Sequence, residues 1–160
     1  MLWEDVTSWT NVLNAYYQTL KTEPKHNQQC IHFRRRETYN LMKLQEEVLS
    51  GSYFPSDYHL FQIHEPKHRT IHAPQYKDKI VHHMLYQVLR DLLEPKFIYD
   101  SYSYIRGKGN QRAVNRIQHF MRSTKEQYGE VWLYKLDVSK FFPSINHTVL
   151  KSILRKYLKD

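Results

Sequence analysis

The carboxylate of Asp137 lies in the part of this sequence that most strongly indicates chemistry. Asp137 ends an apolar run in which Trp132, Tyr134 and Leu136 alternate with other residues. This alternation has the period of an extended strand. A carboxylate among apolar neighbours is unfavourable unless a cation compensates it, and a divalent metal at a strand end would do so. The structural alternative is a capping or turn aspartate before the next helix, and the spacing alone favours that alternative.

The elements expected before this strand are mainly helices. Apolar residues recur at three- and four-residue steps in residues 5–22, 41–48 and 80–92, which predicts three amphipathic helices. Gly51 follows the second helix and Pro95 follows the third, as residues that end helices do. The residues between the first two helices are predicted to be a polar link that leads to a basic run.

A small hairpin and two further helices complete the expected elements. Residues 58–63 and 69–72 alternate in polarity around the turn residues 65–67, which predicts two antiparallel strands. The loop that carries Gly107 and Gly109 opens a helix, and Asn146 is the predicted cap of a final one. The inner face expected for the helix after the glycine loop consists of Ala113, Ile117 and Phe120.

The composition is that of a globular chain with an excess of positive charge. Of the 160 residues, 41% are hydrophobic and 14% aromatic, which fits one domain and excludes a disordered segment. The formal net charge is +8 and the isoelectric point is near 9.5. This balance favours a polyanionic partner, because each neutralised phosphate releases counterions. Basic charge is common among proteins, so it identifies no function by itself.

Cysteine usage and hydropathy predict a cytoplasmic protein. The single cysteine, Cys30, excludes an internal disulfide and is typical of a reducing compartment. No apolar stretch reaches the length needed to span a membrane, and the first residues lack the basic and apolar regions of a signal peptide. A membrane partner is therefore not expected.

Three segments, in this order, resemble motifs of the reverse transcriptase family. The segment from Arg69-Thr70-Ile71 through Pro74 to Asp78-Lys79-Ile80-Val81 resembles a motif of the fingers. Residues 101–109, Ser-Tyr-Ser-Tyr-Ile-Arg-Gly-Lys-Gly, resemble the motif that follows it. Residues 133–145 resemble the first catalytic motif of the palm, in which an aspartate precedes an aromatic pair. The resemblance covers residue 53 to the C-terminus and is closest to bacterial enzymes of diversity-generating retroelements, retrons and group II introns.

This resemblance implies an α+β fold and an RNA-directed DNA polymerase. The expected parts are an N-terminal helical extension (1–52), a mostly helical fingers region with an antiparallel hairpin (53–130), and the first strand and helix of a right-hand palm (131–160). The implied reaction is two-metal nucleotidyl transfer with Mg²⁺ as the cofactor. The implied partners are an RNA template, a DNA primer and deoxynucleoside triphosphates, with an accessory protein as a further candidate.

The resemblance also assigns roles to individual residues. Asp137 and the backbone carbonyl of Val138 would be magnesium ligands, and Phe142 would lie under the sugar and exclude a 2′-hydroxyl. Lys67 and Arg69 would bind the nucleotide triphosphate. A core aromatic is the alternative for Phe142, and solvated hairpin charges are the alternative for the two cations.

Two further cations and one aspartate are assigned less directly. Arg106 and Lys108 flank glycines that permit close approach of a ligand, and they would line the template or nucleotide pocket. Solvated cations on an ordinary glycine turn are the alternative. Asp78 matches a family aspartate after the fingers strands, where a structural cap explains it at least as well as a substrate contact.

The later metal-binding motif of the family, two adjacent aspartates, occurs nowhere in this sequence. The primer grip and thumb are also absent, so we interpret the chain as a truncated polymerase that does not synthesise DNA alone. The unpaired palm strand would expose an apolar face, which predicts self-association. Two alternatives stay open: a non-catalytic nucleic-acid-binding remnant of a retroelement protein and an unrelated basic α/β binding domain.

The histidines do not predict a zinc site. His64, His68 and His72 are spaced by four residues, which would align them on one face of a helix. Pro66 and the alternating pattern predict a hairpin there instead, so helical spacing does not apply.

Overall fold

The computed structural model describes residues 2–24, 26–64 and 68–158, in which helices predominate over a single two-stranded sheet. The chain divides into two compact units, an N-terminal unit up to Asp91 and a C-terminal unit from Leu92. The helices are α1 (Leu2–Thr7), α2 (Trp9–Thr22), α3 (Gln28–Arg34), α4 (Glu37–Leu49), α5 (Tyr76–Leu93), α6 (Asn110–Tyr128), α7 (Phe141–Ser144) and α8 (His147–Arg155). The strands are β1 (His59–Ile63) and β2 (Arg69–Ala73), and one 3-10 turn spans Glu94–Lys96.

The first predicted helix, over residues 5–22, is divided into α1 and α2 at Ser8. The Ser8 hydroxyl accepts a hydrogen bond from the Asn11 backbone N–H at 3.2 Å and so caps α2. Serine competes for backbone groups in this way and favours helix starts over helix interiors. The Asn11 side-chain amide then donates to the carbonyls of Val6, at 2.8 Å, and Met84, at 3.1 Å.

The core of the N-terminal unit is made by α2, α4 and α5. The predicted inward residues of α4 are buried, and so are the first residues of the predicted stripe on α5. Burying one such side chain stabilises a fold by about 1.5–3 kcal/mol. The residues that carry most of this core are Val12, Ala15, Tyr16, Leu41, Leu44, Val48, Tyr76, Ile80 and Met84.

Helix α3 lies where a polar link was predicted. The Asn27 side chain caps it by accepting from the backbone N–H groups of Gln29, at 2.9 Å, and Cys30, at 3.3 Å. Cys30 is a free thiol and is 7% exposed. A seven-residue helix is too short to show a clear apolar stripe, so periodicity missed it.

The predicted hairpin is confirmed. Strands β1 and β2 pair antiparallel, with Phe61 opposite Ile71 and Ile63 opposite Arg69. The turn predicted at residues 65–67 lies outside the described residues.

In the C-terminal unit the predicted helices form, but the predicted strand does not. Asn146 caps α8 by accepting from the backbone N–H groups of Thr148, at 2.9 Å, and Val149, at 3.2 Å. Residues 130–138 form neither helix nor strand. A strand is held by hydrogen bonds to a neighbouring strand, and the described residues place none beside this segment.

Apolar residues in this unit are mostly exposed. On α6 the predicted inner residues Ile117 and Phe120 are 44% and 45% exposed, and α6, α7 and α8 contain no buried residue. In the segment 130–138 the exposed side chains include Trp132 and Leu136. The inner face predicted for α6 was therefore wrong, because no other element covers it in the described part of the chain, and the apolar side chains of residues 130–138 are exposed on a segment that is not a strand.

Candidate functional site

Asp137 lies in the unpaired segment 130–138, and its side chain is exposed. Val138, which follows it, is 65% exposed. Among residues 2–24, 26–64 and 68–158, no group of three or more His, Cys, Asp or Glu side chains could hold a metal ion. Carboxylate and carbonyl oxygens are the donors that Mg²⁺ takes, so Asp137 and Val138 fit part of a magnesium site.

The aromatic pair after Asp137 sits on a tight turn. Lys140 adopts a left-handed backbone conformation, with φ of +50°, just before α7. The rings of Phe141 and Phe142 meet edge to face with their centroids 5.5 Å apart. Phe142 is 80% exposed, so in the described part of the chain it is not a core aromatic.

Of the two predicted triphosphate-binding cations, Arg69 lies in the hairpin. Arg69 is the first residue of β2, stands opposite Ile63 and is exposed. Lys67 lies outside the described residues. Arg69 is part of the N-terminal unit, and Asp137 is part of the C-terminal unit.

Asp78, at the start of α5, is a buried structural anchor. Its carboxylate accepts a hydrogen bond from the Tyr53 hydroxyl at 2.6 Å and another from the Ser56 backbone N–H at 3.2 Å. The residue is 2% exposed. These bonds fasten the extended segment before β1 to α5, which agrees with a structural role for this aspartate.

The glycine loop before α6 is held together by Lys108. Its ammonium group donates to the Tyr99 carbonyl and lies 4.5 Å from the centroid of the Tyr99 ring and 5.7 Å from that of Tyr102. A cation over an aromatic face is stabilised by the ring quadrupole. Lys108 therefore orders this loop, whereas Arg106 is exposed.

An ion pair joins the same loop to α6. The Arg116 guanidinium donates to the Asp100 carboxylate at 3.0 Å, and the Tyr102 hydroxyl donates to the same oxygen at 2.9 Å. The hydrogen bond from Arg116, with a second one from Tyr102, lowers the pKa of Asp100. Arg116 also lies 4.4 Å from the centroid of the Phe120 ring.

These contacts border a shallow pocket of about 410 Å³ between the loop and α6. We call it the loop–α6 pocket, and its lining residues are Tyr99, Tyr102, Arg112, Asn115, Arg116 and His119. Guanidinium groups bind phosphate oxygens in a bidentate manner, and phenol rings offer stacking surfaces for bases. The pocket thus combines the two kinds of group that single-stranded nucleic acids need.

The sequence analysis missed most of this pocket. It pointed to Arg106 and Lys108, whereas the pocket is lined on its α6 side by Asn115 and by the basic side chains of Arg112, Arg116 and His119. Their spacing of four and three residues places them on one helical face. That spacing was the signal in the sequence from which this basic face could have been found. It indicates a pocket only because the loop with Tyr99 and Tyr102 lies beside α6.

Comparison with known proteins gives one distant similarity. No family model matches the chain. The chain is 21% identical over 155 residues to the putative COX1/OXI3 intron 1 protein of Saccharomyces cerevisiae. The match covers 94% of this chain but spans only 18% of the length of the yeast protein. The similarity to an intron protein agrees with a retroelement-related protein as a broad class.

None of the described helices combines the length and apolar character needed to cross a membrane.

Proposed function

We propose that this chain is the fingers and first palm segment of an RNA-directed DNA polymerase from a retroelement. The observation that carries the proposal is the order of three polymerase-like motifs in a chain whose similarity to an intron protein extends over 94% of its length. The first of these motifs includes strand β2 and Asp78, and the last includes Asp137.

Each candidate residue has a defined part in this proposal. Asp137 and the Val138 carbonyl would hold Mg²⁺, and the ion would supply charge neutralisation for the triphosphate and activation of the primer hydroxyl. Arg69 and Lys67 bind triphosphate oxygens, because cations at the hairpin offer charge-assisted hydrogen bonds. Phe142 contacts the sugar with its exposed ring.

The loop–α6 pocket is proposed to contact the RNA template. Arg112 donates one N–H to the Gly107 carbonyl and Arg116 pairs with Asp100, so their remaining N–H groups would bind phosphates. Tyr99 and Tyr102 would stack on bases. Lys108, which is engaged inside the loop, would preserve the shape of the pocket. This places the template-binding groups mainly on α6, one to two turns beyond the glycines.

Primer extension by the complete open reading frame that carries this chain tests the polymerase. We expect magnesium-dependent incorporation on an RNA template, and we expect Asp137→Asn to abolish it while the exposed-aspartate control Asp57→Asn leaves it intact. The isolated 160-residue chain should not extend a primer, since Asp137 alone cannot hold two magnesium ions. Equal activity of the Asp137→Asn and unsubstituted proteins would refute the assignment.

A second candidate is an RNA-binding protein without catalysis. It is favoured by one observation, that the loop–α6 pocket brings Arg112 and Arg116 together with the rings of Tyr99 and Tyr102. This candidate is tested by measuring RNA binding of the 160-residue chain with fluorescence anisotropy at several salt concentrations. Arg112→Gln with Arg116→Gln should remove about two phosphate contacts and lower the salt dependence accordingly, whereas Arg122→Gln on the same helix should not. RNA binding without any synthesis by the full reading frame would favour the second candidate.

A further inference from the structure

Two histidines meet across the end of the β1–β2 hairpin. Gln62 pairs with Thr70 in the strand register, and strand alternation continues the same face to His64 and His68. Their ring centroids are 4.8 Å apart, with the ring planes at 71°. The helical spacing suggested by the sequence is not what brings them together, since the antiparallel pairing of β1 and β2 does so.

This separation fits two imidazoles on one metal ion. A zinc–nitrogen bond of about 2.1 Å puts the metal about 3.2 Å from each ring centre, so two rings at the tetrahedral angle lie about 5.2 Å apart. The observed 4.8 Å is close to that value. The spacing of the two rings is therefore compatible with both of them binding one ion.

The orientation of His68 is already fixed by a neighbour. Its Nε2 lies 3.0 Å from Oε1 of Gln62, and because that oxygen only accepts, the neutral tautomer that makes this hydrogen bond is the one protonated at Nε2. The other ring nitrogen, Nδ1, then has the free lone pair that a metal requires. Metal-binding histidines commonly have an outer partner of this kind, which fixes the tautomer.

The surroundings of the pair leave it open to an ion. Both histidines are exposed, and the guanidinium-bearing Arg69 occupies the opposite face, since it pairs with Ile63. The other two histidines of the hairpin contact aromatic rings instead. The ring of His59 lies against Phe61, and that of His72 lies against Tyr58.

We propose that His64 and His68 form a binding site for a divalent transition-metal ion such as Zn²⁺, with water completing the coordination. Imidazole nitrogens suit this class of ion, whereas magnesium prefers oxygen ligands. The ion would join β1 to β2 across the chain reversal and hold the hairpin closed. This site is independent of the proposed polymerase function.

The site is tested by titrating the 160-residue chain with Zn²⁺ while imidazole resonances are followed by NMR. Zn²⁺ should shift the His64 and His68 signals first, and His64→Ala or His68→Ala should each weaken the binding by about tenfold or more. His59→Ala and His72→Ala, which keep the pair, should change the affinity less than twofold. Circular dichroism verifies that every variant is folded.

A second measurement separates this site from scattered binding to the other histidines. Zn²⁺ should slow hydrogen exchange of the amides of β1 and β2 in the unsubstituted chain but not in His64→Ala. Gln62→Leu should weaken binding while leaving both ligands present. Unchanged affinity in both single variants, or an equal loss in His72→Ala, would overturn the proposal.

Discussion

Leu41 and Leu136 are leucines in equally apolar patterns, yet the first is 1% exposed and the second 91% exposed. Leu41 lies on α4 in the N-terminal unit and belongs to a buried cluster that also contains residues of α2 and α5. Leu136 lies in residues 130–138 of the C-terminal unit, which form no regular element. Periodicity therefore shows which face of a segment favours burial, but the face is buried only where another element lies against it.

The same contrast holds for two aspartates. Asp78 is buried and uses both carboxylate oxygens to fasten Tyr53 and Ser56. Asp137 is exposed, and no group of metal ligands forms around it in the described part of the chain. The first aspartate is thus placed to stabilise the fold, and the second is available to a ligand.

The largest expected effect concerns the two leucines. Leu41→Ala should lower the free energy of unfolding by about 2–5 kcal/mol, because it opens a cavity in a packed core. Leu136→Ala should change it by less than about 0.5 kcal/mol, because that side chain is already in solvent. Urea unfolding followed by circular dichroism measures both. Similar values for the two variants would show that residues 130–138 are packed in solution.

A smaller effect is expected at the two aspartates. Asp78→Ala leaves the half-buried Tyr53 hydroxyl and Ser56 N–H without their acceptor, and because water can reach both donors the total cost should be about 1–3 kcal/mol. Asp137→Ala is the matched control and should leave the unfolding midpoint unchanged. If Tyr53→Phe restored the stability of the Asp78→Ala protein, the loss would be traced to the unpaired hydroxyl.

The smallest expected effect is a pH dependence within the N-terminal unit. Burial, with a lesser contribution from His82, lowers the pKa of His83 below 6.5. The folded state then resists protonation that the unfolded chain accepts, so this contribution to stability is present above about pH 6.5 and is lost as the pH falls below it.

His83→Gln should therefore flatten the fall in unfolding free energy between pH 7 and pH 5. His82→Gln, at an exposed position, should leave most of that slope in place. Chemical denaturation at several pH values measures the difference. Identical slopes for the His83→Gln and unsubstituted proteins would contradict a role for His83.

Elements with a strong local signal were predictable from sequence. Helices α4, α5 and α6, the hairpin strands and the Asn146 cap follow from patterns within a few residues of one another. The break at Ser8 and the short α3 were missed, since one hydroxyl and one amide cap decide them and the apolar period is weak there. The strand at residues 132–138 was wrong because strand pairing needs a partner segment.

For the candidate site, sequence supplied the residue types, and tertiary structure decided which of them are close to one another. Three properties belong to the chain itself. They are the order of the three motifs, the positive charge and the carboxylate of Asp137. The Arg116–Asp100 ion pair, the Tyr53–Asp78 bond and the His64–His68 contact join residues that local periodicity does not connect. Such contacts depend on how the elements pack, because packing and chain reversal bring together residues that are separated along the sequence.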